Sequence, residues 1–533
     1  MSIFDRVKIK TYKRTAFKLS YNHDTTMNIG QVIPTCCIEM VPGYTFRFGQ
    51  VSHIETQPLQ APFRGELWSE SLAFFCSYDS LKMADETRFT ELLSGVTDPQ
   101  HDALPVPKWN LNKTDLDTNS KLVATHKGKL WDYMGFPLNL PPTISDKITP
   151  IAYIQRAYNQ IYNEYIRDEN LDSEVSLDSN DIQTCCYKKD YFTSAFDSPQ
   201  KGVAPYLELK GETSLDWSSI FTRTKNILYN LGTASAFFAG TEQNAEVSET
   251  NPYYIKPTYN GNNLSESEYN NLLAALGNLK LDLSRIITFN INDLRLLNKL
   301  QEWLERNQIA GTRTKEYLLA NYGVAPTDET LQRPQFLGRL RSPVKVSTTI
   351  AQSETTSFPQ GWKTGNGKST NSVLFKKWTA KEPGLLMIVS FVRPKPKYSQ
   401  GINRMWIKPT VYDYFNPIFE NLGQQAIYNA EIYCQGTDDD LKFFGYTDRF
   451  NEMKYIPDVS SGEMRANQSL DYWSVTRTFA ELPTLSSNFI HVDATAFDYL
   501  FAIKSTTFPQ LIASFDNVVK AIRPLHRFAM PSL

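Results

Sequence analysis

Three strand-length segments follow one another between residues 30 and 78 with almost nothing between them: GQVIPTCCIEMV, TFRFGQVSHIET and RGELWSESLAFFCSY, separated by PGY and by QAPF. Runs rich in β-branched and aromatic residues, bounded by Gly and Pro turns, read as strands. A chain that opens this way must find a second apolar surface to cover its sheet, so a β-sandwich or barrel with long loops is the expected architecture. In TFRFGQVSHI, residues Phe46, Phe48 and Val51 read as one half-buried face with a bulge near Gly49, and RGELWSESLAFF loses its alternation towards a fully buried end. Strand-like text returns after residue 342 in GLLMIVSFVRP, NAEIYCQ and HVDATAFDYLFAI, split by loops containing Pro, Gly and Asp. The 28 Tyr, 31 Phe, 29 Pro and 25 Gly are spread along the whole chain, which favours strands and ordered loops over a helical bundle. At 533 residues the length allows two or three ordinary domains, or one large fold with overgrown loops.

Helices interrupt this pattern. In IAYIQRAYNQIYNEYIRDEN, residues 151–170, Ile154, Tyr158, Ile161, Tyr162 and Tyr165 share one helical face. In NDLRLLNKLQEWLERNQIAG, Leu296, Leu297, Leu300, Trp303 and Leu304 do the same, with Asn292 placed to cap the start and Gly311 after the end. A second helix, TRTKEYLLANYG, is expected to stop at Gly323. Both apolar faces read as core contacts. Residues 211–285 differ in texture, being polar and Asn-rich with the small-residue run LGTASAFFAGTE, and read as a surface insertion ending in a short helix, SESEYNNLLAALGNLKLDLSR.

Local motifs for chemistry are absent. GWKTGNGKST ends like a phosphate-binding loop, but Trp362 stands where the first Gly belongs and neither a buried strand before it nor a helix after it is expected. The run TDDDLKFF lacks the Gly and distal Glu of a calcium loop, so the Asp438 to Asp440 region reads as a solvated turn. The six histidines form no HxH, HExxH or i, i+4 pair, and no GxSxG occurs, so neither a metal site, a cofactor nor a catalytic centre is expected. Cys36, Cys37, Cys76, Cys185, Cys186 and Cys434 include two vicinal pairs and no CxxC, and read as buried free thiols suited to a reducing cytoplasm. The start MSIFDRVKIK has no apolar signal core and no run of about 18 apolar residues occurs, so neither secretion by a signal peptide nor membrane insertion is expected.

Charge is concentrated at the ends. The net charge is only −2, yet residues 1–24 carry six basic residues against two acidic, and residues 504–533 four against one. Lys8, Lys10, Lys13, Arg14 and Lys18 in the N-terminal arm (residues 1–27), and Lys520, Arg523 and Arg527 in the C-terminal segment, are interleaved with aromatic rings. Cations that neutralise phosphates, beside rings that stack on bases, point to single-stranded nucleic acid as a one-sided contact.

An ordered series of segments resembles a known family. NIGQVIP, EMVPGYTFRF, KLWDYMGFPLNLP, RAYNQIYNEYIRDENL, DYFTSAFDSPQKG, the helical pair at 292–324, LQRPQFLG, YDYFNPIFENLGQQAI and FFGYTDRFNEMKYIPD resemble, in this order, the major capsid protein of the Microviridae, gokushovirus branch. The likeness runs from about residue 28 to RPLHRF, while SYDSLKMADETRFTELLSG departs from the family pattern. It implies an eight-stranded antiparallel jelly roll of the viral capsid type, with helices in long inter-strand loops, spanning residues 1–533. It further implies sixty self-associated copies in a T=1 icosahedral virion around circular single-stranded DNA, assembled in the host bacterial cytoplasm. A small basic DNA-binding protein, a pilot protein and a host surface receptor are the implied partners. The insertion at 211–285 falls where these proteins carry a projection at the three-fold axes, making Phe237, Phe238, Tyr253 and Tyr254 candidates for that projection and for host attachment. A glycan-binding or fibre β-sandwich and a jelly-roll enzyme are the rival readings of the same strands and Asn-rich loops.

Overall fold

The computed structural model describes residues 14–94, 106–109, 126–138, 148–205, 258–259, 262–263, 291–354, 359–375 and 377–528. Two compact units divide the chain, Met1–Gly202 with Leu304–Leu533, and Val203–Trp303. In the second unit the described parts are a two-residue strand pair, Thr258–Tyr259 with Asn262–Asn263, and the first turns of a long helix.

The first unit is built on thirteen strands: β1 (Thr15–Lys18), β2 (Tyr21–Met27), β3 (Ile33–Met40), β4 (Thr45–Thr56), β5 (Glu66–Ser77), β6 (Gln335–Pro343), β7 (Lys345–Ile350), β8 (Lys363–Leu374), β9 (Trp378–Thr379), β10 (Gly384–Lys395), β11 (Gln424–Tyr428), β12 (Phe443–Asp448) and β13 (Leu511–Arg523). One sheet runs β2-β13-β4-β8, the other β3-β10-β5-β6, and every pairing is antiparallel. In chain order the eight strands alternate between sheets up to β5, repeat a sheet once at β6, and alternate again to β13. That order is the jelly roll of two Greek keys. β1 continues the edge of β2 along β13, β9 continues β8 along β4, and β7 adds an outer strand to β8.

The sheets face each other over Phe46, Phe48, Val519 and Ala521 from one and Ala73, Phe75, Leu386 and Ile388 from the other. The unbroken apolar run of β10 has a physical cause. Its Leu386 and Ile388 enter the sandwich, while Leu385, Met387 and Val389 belong to a second cluster with helix α1 (Ala152–Ile161), through Tyr153, Ala157 and Tyr158. A strand covered on both faces leaves little room for polar residues, and Ser390, buried in it, is held by Ser71 Oγ at 2.8 Å and Thr35 Oγ1 at 3.2 Å. Tyr158 ties the helix down: its hydroxyl donates to the Val32 carbonyl at 2.8 Å and accepts the Gln183 N–H at 2.9 Å. A π turn, Tyr162–Ile166, carries α1 onward and brings the Tyr165 ring to 4.6 Å from that of Phe74.

Several expectations are corrected. β4 has no bulge at Gly49; its pairing with β13 is regular from Thr45 to Thr56, and Phe46, Phe48, Gln50, Ser52 and Ile54 alternate inwards, leaving Val51 on the outer face. The polar Gln50 disguised this pattern. It is fully buried, and its amide donates to Thr35 Oγ1 at 2.9 Å and Asn517 Oδ1 at 3.0 Å. Gly49 is required because a Cβ there would lie 2.5 Å from the Val373 carbonyl on β8. NAEIYCQ is a short helix at Asn429–Ile432, closed by Glu431 accepting the Tyr428 N–H at 2.8 Å. HVDATAFDYLFAI is a 3-10 turn at Thr495–Leu500, where Asp493 accepts from the backbone and hydroxyl of Thr495. GWKTGNGKST lies largely in β8, which accounts for the failed phosphate-loop pattern.

The helix α2 (Ile291–Ala310) begins one residue before Asn292, so Asn292 lies inside its first turn, and Gly311 follows at φ +94°. Its stripe is only partly covered: Leu296, Leu300 and Trp303 are exposed, while Leu297 and Leu304 are half-buried. In α3 (Thr314–Tyr322), closed by Gly323 at φ +69°, Leu319 and Tyr322 are exposed as well. The cysteines are all free, and Cys434 is exposed rather than buried. Asp440 is buried in its own turn, where its carboxylate accepts the Gln435 and Gly436 N–H groups, so this acid is not solvated. Among the described residues no helix is long and apolar enough to cross a membrane.

Candidate assembly and DNA-facing surfaces

The connection between β10 and β11 presents apolar side chains to solvent from a backbone that is firmly held. Trp406, Val411 and Ile418 are 78%, 82% and 80% exposed, and Tyr412, Tyr414 and Phe415 more than half. Three short 3-10 turns carry them, at Arg404–Trp406, Val411–Asp413 and Pro417–Phe419. Asn403 and Asn416 cap the first and third by accepting the Met405 and Ile418 N–H groups. Asp413 closes the second, accepting from the Thr410 N–H at 2.9 Å and hydroxyl at 2.7 Å.

Beneath the loop, Arg404 is buried and anchors it, donating to Asp413 Oδ1 at 2.8 Å and stacking 4.3 Å from the Tyr428 ring centroid. Lys408 spans from the Asp413 carbonyl to Glu452. Burial opposes ionisation of Asp413, but the Thr410 bonds, Arg404 and Lys408 outweigh it and hold the carboxyl below its usual range. A loop that flexed could fold Trp406 and Ile418 inwards. One pinned by buried ion pairs keeps them outside, and a large rigid apolar patch marks a surface awaiting a partner.

The outer face of the β2-β13-β4-β8 sheet carries a different feature. Lys18 on β1 lies directly opposite Lys520 on β13, and Lys520 lies opposite Arg47 on β4. All three are exposed. Neighbouring strands are about 4.8 Å apart, so three like charges line up across three strands with no carboxylate partner among the described residues. On the same face Lys368 is matched by Glu55 at 2.8 Å. Like charges directly opposite destabilise a sheet, so this row fits a surface that meets an anion.

Of the residues singled out in the sequence, Lys18 and Lys520 come together, and Arg14, exposed, precedes β1. Arg527 is exposed beyond β13. Arg523 is turned away from the row, its guanidinium 5.0 Å from the Tyr44 ring centroid and its Nε without a partner among the described residues. Lys8, Lys10, Lys13, Phe237, Phe238, Tyr253 and Tyr254 lie outside the described residues. Arg47 was missed because nothing in TFRFGQ marks it; only the register of β4 against β13 does.

The comparisons agree with this geometry. The family profile described as capsid protein (F protein) matches residues 6–533. The chain is 27% identical to capsid protein VP1 of Chlamydia phage 1, over 99% of this chain and 97% of that protein. It is 28% identical to capsid protein VP1 of Bdellovibrio phage phiMH2K over 76% of each, and 27% identical to capsid protein VP1 of Spiroplasma virus 4 over 97% and 95%. A jelly roll with rigid apolar loops turned outwards, matched along its whole length by capsid proteins, belongs to the F-protein family of microvirus major capsid proteins, on its gokushovirus-like branch.

Proposed function

We propose that sixty copies of this chain close a T=1 icosahedral shell around circular single-stranded DNA, with no enzymatic step. The observation that carries the reading is the pinned, outward apolar surface of residues 402–422. Burying such surface against identical neighbours, each in the same environment, is how a closed point-group assembly forms. The exposed apolar residues of α2 and α3 supply further surface of the same kind. Sedimentation and negative-stain imaging of the expressed chain test this. Wild type gives closed shells, and Trp406→Asp with Ile418→Asp gives folded subunits that stay apart; shells formed equally well by the double variant would refute it.

In this reading both termini line the interior, with Lys8, Lys10, Lys13, Arg14, Lys18, Lys520, Arg523 and Arg527 as DNA contacts, joined by Arg47. The termini hold a surplus of about seven positive charges per chain, roughly 420 in sixty copies, against one negative charge per packaged nucleotide. A genome of a few thousand nucleotides is far from neutralised, which supports a separate small basic protein, beside a pilot protein for delivery. Assembly takes place in the host bacterial cytoplasm. Residues 211–285, with Phe237, Phe238, Tyr253 and Tyr254, form the three-fold projection that meets a host surface receptor. Deleting residues 230–262 is expected to leave folding intact and abolish attachment; a mutant particle that adsorbs normally would count against that role.

A further inference from the structure

Away from these surfaces, the described residues bring together Asp172, Cys186 and His491, one ligand atom from each lying within 4.8 Å of the others. They come from three distant stretches. Asp172 follows the π turn after α1, and Cys186 and His491 are bridged antiparallel, with the Tyr187 N–H on the Ile490 carbonyl at 2.8 Å and the Val492 N–H on the Cys185 carbonyl at 3.0 Å. The backbone therefore fixes two of the side chains independently of what they hold.

The contacts of the three side chains are informative. His491 Nδ1 lies 3.1 Å from both the carbonyl and the hydroxyl of Thr184, which hold that edge of the ring. Nε2 is then the atom aimed at Asp172, at 2.8 Å from Oδ2. A metal-binding imidazole is characteristically held this way, one nitrogen donating to a backbone carbonyl and the other free for the ion. Asp172 has a side chain only 7% exposed, yet its Oδ1 has no hydrogen-bond partner among the described residues. A buried anion with an unused oxygen faces a buried thiol.

A nucleophilic Cys-His-Asp triad is the obvious rival, and the geometry opposes it. Both ring nitrogens of His491 are engaged by Thr184 and Asp172, leaving neither to take the thiol proton. Cys186 is buried, only 8% exposed, whereas a reactive cysteine is partly open to solvent.

We propose that Asp172, Cys186 and His491 form a buried site for one divalent transition-metal ion of the zinc class. A carboxylate, a thiolate and a neutral imidazole sum to the two negative charges that balance such an ion, and the N, S, O donor set suits zinc. Tetrahedral zinc with bonds of about 2.0 to 2.3 Å places its ligand atoms about 3.3 to 3.6 Å apart, so the 2.8 Å pair opens and the wider separations close by about 1 Å. Water would supply the fourth ligand, as at zinc sites with three protein ligands. On binding, the ion displaces the Cys186 thiol proton, which passes to solvent. The ion would staple the exit of α1 to a segment 319 residues away, within one chain, so the site stands independently of the capsid reading.

Full-length protein, dialysed free of metal and titrated with Co²⁺ as the probe, tests it. Expected are tetrahedral cobalt absorption and a thiolate-to-cobalt charge-transfer band saturating at one ion per chain, displaced by Zn²⁺, with Zn²⁺ also raising the melting temperature. Cys186→Ser removes the charge-transfer band, Asp172→Asn keeps it while weakening binding more than about tenfold, and Cys434→Ser, exposed and not among the three ligands, changes neither. If Cys186→Ser does not fold, Asp172→Asn and the wild-type band still decide. Wild type without the band and without a zinc-dependent melting shift would overturn the site, as would a band that survives Cys186→Ser.

Discussion

Replacing Lys18, Arg47 and Lys520 together by Gln separates a ligand-binding role from a structural one, because the two predict opposite changes in stability. The three cations stand opposite one another on β1, β13 and β4. Removing them relieves two like-charge neighbours, each unfavourable by a few tenths to 1 kcal/mol at low salt and less when screened. The variant is therefore expected to melt at the same temperature as wild type or slightly higher. Binding of single-stranded DNA moves the other way. Each phosphate contact on a single strand contributes about 0.7 to the slope of log affinity against log salt, so losing three lowers that slope by about 2. Over a fourfold rise in salt, wild-type affinity should then fall roughly twentyfold further than that of the variant. Fluorescence anisotropy of a labelled oligonucleotide with the full-length protein, run beside thermal melts, measures both. An unchanged salt slope, or a variant that melts well below wild type, would refute the assignment.

Other outcomes follow from single interactions. Tyr158→Phe strands the Val32 carbonyl and the Gln183 N–H in the core, and should destabilise by about 2 to 4 kcal/mol in chemical denaturation; a change under about 0.5 kcal/mol would contradict the bonding described. Glu316 is raised to about 7 by burial and then by the neighbouring Glu169 carboxylate. Its protonated form is favoured on folding, so its contribution is present below the ordinary carboxyl range and lost as pH rises through about 7. Glu316→Gln should flatten the fall in melting temperature over that window and raise stability at pH 8, and parallel pH curves for the two proteins would count against it. Gly49→Val drives a side chain into the Val373 carbonyl and should yield insoluble protein, whereas a soluble product with wild-type melting would show that β8 has room.

What the sequence made legible depended on how far apart the interacting residues are. β10 could be read because burial on both faces leaves a continuous apolar run, and β3 to β5 because Gly and Pro turns frame them. β13, the longest strand, was read only as a basic tail. Its inward positions include Ala513, Asn517 and Ala521, small or polar residues that give little hydropathy contrast, although Asn517 is buried and bonded to Thr35 and Gln50. Helical periodicity in α2 was real, but a period shows that a face is apolar and not what covers it; here the described residues of the core do not cover Leu296, Leu300 or Trp303. Local side-chain bonds from Glu431 and Asp493 override strand-like composition. Lys18 with Lys520, and Asp172 with His491, are brought together by folding across most of the chain, and residue spacing carries no trace of that.

The claim on which the rest depends is that the chain's outward apolar loops are completed by identical neighbours. Image reconstruction of particles assembled from the full-length chain tests it directly. The account predicts an icosahedral shell of sixty subunits in which Trp406, Tyr412 and Ile418 are buried against an adjacent copy. A particle, or a lone subunit under the same conditions, in which those side chains still face solvent would contradict it.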